Sequence, residues 1–222
     1  MTAADFLWVA AAFISGSLPF SVWVGRLGLK RDIRSYGDGN PGTFNVMRAG
    51  GLAWGGLALV LDISKAAVPV GLAAQVYNIE GLPLVLIALA PPLGHAFSPF
   101  LGFSGGKAIA ATAGSFIGLT LWEVPLVGMV LLVLWYNLLT SSGWAVMFTM
   151  LGILAYLLLT SATDTLLAVW AGIMLLLIFK HRAELTRLPA FKLPSILRPL
   201  LKSVEPDRDP GDPVRNGGTD RH

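Results

Sequence analysis

The residues best able to do chemistry in this sequence are cations set beside glycines. The longest such stretch, Asp32 to Arg48, contains Gly37-Asp38-Gly39-Asn40-Pro41-Gly42-Thr43 and then Asn45 and Arg48. Its glycines permit a tight turn that exposes backbone N–H groups, and Pro41 suits the start of a short helix. On that helix Asn45 and Arg48, three residues apart, share a face. Amide donors, a helix start and a guanidinium together suit a phosphate; the competing interpretation is a polar connecting loop with ordinary arginines. A second stretch runs Gly94-His95-Ala96-Phe97 and then Phe103-Ser104-Gly105-Gly106-Lys107-Ala108. It sets Lys107 at an expected helix N-terminus, where the dipole opposes a cation unless an anion joins it. Lys107 is therefore a phosphate ligand or a snorkelling interfacial lysine. The pattern GxxxxGK(S/T) is absent, so this is not a Walker-type phosphate loop.

Two further stretches are weaker. Lys180-His181-Arg182 through Arg187-Leu188 places cations at a helix end, where they serve dipole and headgroups alike. His181 there is a general base, a phosphate donor or a structural interface histidine. Ser15-Gly16-Ser17-Leu18-Pro19-Phe20 predicts a kink, because Pro19 removes a backbone donor and frees carbonyls that something must satisfy. Asp62 and Lys65, three apart inside an apolar run, predict an intramembrane ion pair of structural purpose.

The elements that hold these stretches are membrane helices. The chain is 55% hydrophobic and 13% charged, where a soluble domain carries about a quarter charged residues. Mean hydropathy is +0.68. There is no Cys, and His95, His181 and His222 lack i,i+4 spacing, so no metal site and no cofactor is expected. A spanning helix needs about 20 apolar residues. Candidate spans are 5–27, 52–76, 81–99, 107–122, 124–140, 143–160 and 164–180, an all-α bundle of seven crossings. Six crossings, with 107–122 re-entrant, is the alternative.

Charge sets the orientation. With the N-terminus outside and seven crossings, the inner segments hold Arg26, Lys30, Arg31, Arg34, Arg48, Lys107, Lys180, Arg182, Arg187 and every later cation. The outer segments hold Asp5, Glu80, Glu123 and Asp164. Of 16 basic residues only Lys65 falls elsewhere. This positive-inside pattern predicts a cytoplasmic C-terminus and favours seven crossings over six. It also accounts for the basic pI without nucleic-acid binding. Residues 189–202, mixing Arg and Lys with Leu, Phe and Ile, predict an interfacial anchor, and 203–222, rich in Pro, Gly and charge, a disordered tail. The membrane domain is then 1–188.

In order and spacing, the four stretches resemble the bacterial acyl-phosphate:glycerol-3-phosphate acyltransferase family, seven-span inner-membrane enzymes of phospholipid synthesis. The family pattern GSxPF is met by Gly16 to Phe20. DIRxxGSGNxGATNVxR is largely met by Asp32 to Arg48. GHxFPxxxxFKGGKGVAT is met by Gly94-His95-Ala96-Phe97, Phe103, Gly105-Gly106-Lys107 and Ala111-Thr112, and HRxNIxRL by His181-Arg182, Arg187 and Leu188. The resemblance implies acyl transfer from acyl phosphate to glycerol-3-phosphate, giving lysophosphatidic acid and phosphate. It implies a cytoplasm-facing site, with membrane lipids as surroundings. Asn45, Arg48, Lys107 and His181 become the catalytic candidates. Ser17, Asp38, Gly39, Asn40, Gly42, Thr43, Gly105, Gly106 and Glu184 become the substrate-binding ones.

Within this assignment the loop amides with Asn40, Gly42 and Thr43 take the acyl-phosphate phosphate. Arg48 and Lys107 take the phosphate of glycerol-3-phosphate, and Asn45 orients a reacting oxygen. The departures are Asp38 for the family's serine, Thr43-Phe44 for its Ala-Thr, Ser104 for the lysine before GGK, Ala108 for the following glycine, and Glu184 for its asparagine. Two of them put carboxylates where a phosphate ligand is expected. Asp38 is then a base, a Mg²⁺ recruiter, or turned away from the substrate. A divergent paralogue that acylates another acceptor or only binds a lipid phosphate, and a small transporter, are the alternative functions.

Overall fold

A computed structural model describes residues 1–192 of the chain, and the account below concerns the unit Met1–Ala190. The expected anchor and tail lie, from residue 193 on, outside the described residues. The fold is all-helical. Helix α1, Ala3–Ser17, starts on a capping box in which Thr2 and Asp5 exchange side-chain-to-backbone hydrogen bonds. A break at Leu18-Pro19 separates it from α2, Phe20–Trp23, which runs into a π-helical turn, Val24–Gly28. Helix α3, Thr43–Gly50, is short, and α4, Leu52–Gly71, follows directly on the left-handed Gly51. The remaining helices are α5, Gly81–Ala96, α6, Ile109–Thr120, α7, Glu123–Leu138, α8, Ser142–Leu159, and α9, Asp164–Leu185.

Among the described residues, five segments are long and apolar enough to cross a membrane: Ala3–Gly28, Leu52–Val76, Gly81–Leu101, Ser142–Leu159 and Asp164–Leu185. The expected spans 107–122 and 124–140 correspond to shorter helices. Helix α6 has 12 residues and rises about 18 Å, against about 30 Å of hydrocarbon. It begins late because Ala108 adopts a left-handed conformation with φ of 63°, which turns the chain ahead of the helix. Lys107 consequently belongs to a loop and not to the helix terminus that the sequence suggested.

Small residues set the closest helix contacts. A Cβ on Gly16 would strike the backbone of Pro91, and one on Gly94 would meet Ser17 and the Phe13 carbonyl, so α1 and α5 touch backbone to backbone. The carbonyls at the Leu18-Pro19 break find donors from distant parts of the chain, and Leu18 O also accepts from the Phe20 N–H at 3.0 Å. Ser98 Oγ donates to Ser17 O at 2.6 Å, and Lys65 Nζ to Leu18 O at 2.7 Å. The same Nζ lies 2.8 Å from Asp62 Oδ1, while Ser21 Oγ donates to Asp62 Oδ2 at 2.5 Å. Asp62 and Lys65 are both buried. The charged pair is therefore stitched into the break in α1, and Asp62 also lines the cavity between α4, α6, α7 and α8.

Candidate active site

One continuous polar network joins the cationic stretches. Gly37 and Gly39 both take left-handed φ values, 55° and 73°, and fold the first loop over the start of α3. A Cβ on Gly37 would collide with the Arg48 guanidinium, so only glycine lets that side chain lie against the loop. Arg48 Nη1 donates to Asn45 Oδ1 at 2.8 Å. Asn45 Nδ2 donates to Asn40 O at 2.9 Å and to Asp38 Oδ1 at 3.1 Å. Lys107 Nζ then bridges two carboxylates, Asp38 Oδ2 at 2.7 Å and Glu184 Oε1 at 2.5 Å. Ser142 Oγ donates to Glu184 Oε2 at 2.5 Å. The chain Arg48–Asn45–Asp38–Lys107–Glu184–Ser142 thus ties together α3, the first loop, the Gly-Gly-Lys loop, α9 and α8.

The bridge perturbs both loop charges. Partial burial pushes the Asp38 carboxyl up, but the Lys107 hydrogen bond and charge outweigh this and hold it below its ordinary value. Burial likewise disfavours the charged Lys107, yet the bonds it donates to Asp38 and Glu184, with their charges, prevail and keep its ammonium protonated above the usual lysine value.

Several expected ligands are placed differently. The amides of Gly39 and Gly42 donate to Tyr36 O and Asn40 O, closing tight turns rather than facing outward. The amides of Gly105 and Gly106 donate to Ala96 O and His95 O, at 3.2 and 3.1 Å. These two glycines earn their place sterically: a Cβ on either would overlap the end of α5. Lys180 reinforces this docking by donating to Ala96 O and Gly105 O. Ser17 stands apart from the network, because its hydroxyl returns to Phe13 O in its own helix at 2.7 Å.

Asn40, Thr43 and Lys107 line the polar end of a cavity of about 380 Å³. From there the cavity runs between α4, α6, α7 and α8, past Ile63, Phe116, Leu132 and Ile153, to Trp122 and Leu126 at the α6–α7 turn. Thr43 Oγ1, His95 Nδ1 and Thr112 Oγ1 are buried without a hydrogen-bond partner, and all three residues line this cavity.

His181 is buried on α9, one turn beyond Leu177, which also lines the cavity. Its Nδ1 lies 2.9 Å from Leu177 O, and a carbonyl only accepts, so Nδ1 carries the proton. Nε2 is then a buried lone pair with no partner. Among the described residues, no group of three or more His, Cys, Asp or Glu could hold a metal ion. The sequence did not single out Ser142, His95 or Thr112 as site residues. His95 and Thr112 fall within quoted motifs, but Ser142 had no signal beyond a polar dip between two apolar runs.

The glycerol-3-phosphate acyltransferase family model matches residues 6–190. A glycerol-3-phosphate acyltransferase of Desulfovibrio desulfuricans is 36% identical over 186 residues, covering 83% of this chain and 81% of that protein. One from Anaeromyxobacter sp. (strain K) is 38% identical over 203 residues, covering 82% of this chain and 92% of the relative. Among solved structures, the glycerol 3-phosphate form of PlsY (YgiH), an integral membrane glycerol 3-phosphate acyltransferase, superposes with a TM-score of 0.75. Identity there is 28%, over 83% of this chain and 92% of the other. Fold, motif order and relatives agree, and this chain belongs to the glycerol-3-phosphate acyltransferase family.

Proposed function

We propose that this protein transfers a fatty acyl group from acyl phosphate to the primary hydroxyl of glycerol-3-phosphate, releasing lysophosphatidic acid and inorganic phosphate. The carrying observation is the cavity that joins a lysine-bearing polar mouth to an apolar barrel. An acyl phosphate is just such a molecule, with an anionic head and a hydrocarbon tail. Its tail lies between α6, α7 and α8, where burial of each methylene contributes about 0.8 kcal/mol. Its phosphate reaches Lys107, with the hydroxyl of Thr43 free to join. Arg48, presented by Asn45 and the first loop, holds the phosphate of glycerol-3-phosphate.

The acyl group is already activated, so positioning and charge stabilisation suffice and no acyl-enzyme is needed. The glycerol hydroxyl attacks the acyl carbon as His181 Nε2 accepts its proton. The new ester C–O bond forms, the acyl C–O bond to phosphate breaks, and the leaving phosphate takes the electron pair and then the proton. Seven crossings with the site facing the cytoplasm of a bacterial inner membrane remain the topology we favour. The positive-inside count supports it, with α6 and α7 completing the crossings as short helices inside the bundle.

Purified protein in detergent, given acyl phosphate and glycerol-3-phosphate, should release phosphate only when both are present. A family member that is active in the same assay, while this protein releases nothing, would sink the proposal.

A further inference from the structure

Asp38 sits in the site as a bound anion sits, not as a ligand for one. Its Oδ2 accepts from Lys107 Nζ at 2.7 Å, and its Oδ1 accepts from Asn45 Nδ2 at 3.1 Å and from the Asn40 backbone N–H at 3.2 Å. An ammonium from the Gly-Gly-Lys loop, a side-chain amide from α3 and the main-chain amide two residues on in Asp38's own loop thus converge on one carboxylate. Such a set of donors is what recognises a phosphate oxygen. We propose that Asp38 occupies the seat of a substrate phosphate in the free protein and must be displaced by it, so that this residue sets the affinity of the site for phosphorylated substrates. The inference rests on the acyltransferase reading for the identity of the substrate, though not for the existence of the seat.

Two features make Asp38 the partner that leaves. Its side chain is 46% exposed and lies between two glycines in left-handed conformation, so it can swing into water by rotating a loop. Glu184 cannot do this as easily. It projects from α9, receives the Ser142 hydroxyl on its other oxygen, and so remains as the fixed counterion that aims Lys107. A phosphate arriving while both carboxylates stay would put three anions around one ammonium, and like charges at such distances repel strongly in a partly buried site. The exchange of Asp38 for phosphate leaves Lys107, Asn45 and the Asn40 amide with the same number of bonds as before. The serine that the family pattern carries at this position is neutral and shorter, and would leave the seat to the substrate.

The test is direct binding of inorganic phosphate to the full-length protein in detergent at neutral pH, by titration calorimetry. Asp38→Asn keeps the shape and removes the charge; Asp38→Ser removes both. Each should bind phosphate about tenfold tighter than the wild type, the effect of losing one charge-assisted bond, at 1.4 kcal/mol per decade. Asp32→Asn removes the same charge from the same loop without touching the three donors, and should leave affinity unchanged. Affinity that is equal or weaker in both Asp38 variants would overturn the proposal, since Asp38 would then be scaffolding for Lys107. Equal tightening by Asp32→Asn would also overturn it, as an effect of bulk charge. Tighter phosphate binding in the Asp38 variants, alongside a wild-type protein that never consumes acyl phosphate, would uphold the seat and refute the acyltransferase reading instead.

Discussion

Neutralising one member of the Asp62–Lys65 pair tests how the break in α1 is held open. Lys65 Nζ is shared between Asp62 Oδ1 at 2.8 Å and Leu18 O at 2.7 Å, and Asp62 keeps Ser21 as its second partner. Both side chains are at most 2% exposed. Removing one partner of such a pair strands a buried charge and costs about 3–5 kcal/mol. Asp62→Asn should therefore destabilise by about 3 kcal/mol. Lys65→Met should cost about 1 kcal/mol more, because it also removes one of the two hydrogen bonds on the Leu18 carbonyl, which keeps only the Phe20 N–H. The double variant Asp62→Asn/Lys65→Met strands no charge, leaving only the lost hydrogen bond to Leu18 O and a poorer fit. It should be more stable than either single variant, with a coupling energy of about 5 kcal/mol, within the span measured for close charge pairs. The assay is a double-mutant cycle by equilibrium unfolding in mixed micelles. Single effects that simply add in the double variant would refute the reasoning, for the two charges would then be held independently.

Gly105→Ala should raise the KM for the phosphorylated substrates and lower kcat/KM by about a hundredfold, the usual penalty of shifting a catalytic group by about 1 Å. The added Cβ would overlap the His95 carbonyl, so the Gly105–Ala96 and Gly106–His95 bonds cannot both persist and Lys107 moves. Steady-state kinetics on variant protein of unchanged helicity would check this, and wild-type values would contradict it. Gly128→Leu should act at the other end of the substrate. Gly128 lines the apolar barrel, and a Cβ there would already lie 3.1 Å from Ile153 Cδ1. Activity should fall steeply for long acyl phosphates and little for short ones; an equal loss across a chain-length series would oppose the barrel assignment.

What the sequence disclosed followed from local chemistry. Long, predominantly apolar runs marked the spans that hold α1, α4, α5, α8 and α9, since the few polar residues and prolines within them do not lower hydropathy enough to hide a crossing. Cations beside glycines marked the polar end, and Asp62 and Lys65 marked a pair because hydrocarbon leaves charges few other options. The misplacements came from backbone partners and turns that residue types alone do not specify. The amides of Gly39, Gly42, Gly105 and Gly106 are equally able to face a phosphate or a carbonyl, and only the folded loop shows that they face carbonyls. The start of α6 shifted because one left-handed residue, Ala108, carries no signal in hydropathy. Ser142 joined the site only because α8 delivers it to Glu184, 42 residues away.

The departures from the family pattern also take on a physical order. The site compensates its two cations, exposed Arg48 and half-buried Lys107, differently before any substrate arrives. Arg48 is answered by a neutral acceptor, Asn45 Oδ1, so an incoming phosphate adds charge complementarity that was missing. Lys107 is answered by two carboxylates, so an incoming phosphate must replace one of them. Binding at Arg48 is thus a gain, whereas binding at Lys107 is an exchange whose free energy is a small difference between two anions. An exchange of this kind suits the seat that must also release inorganic phosphate after transfer, since the returning Asp38 carboxylate competes with the product for the same three donors.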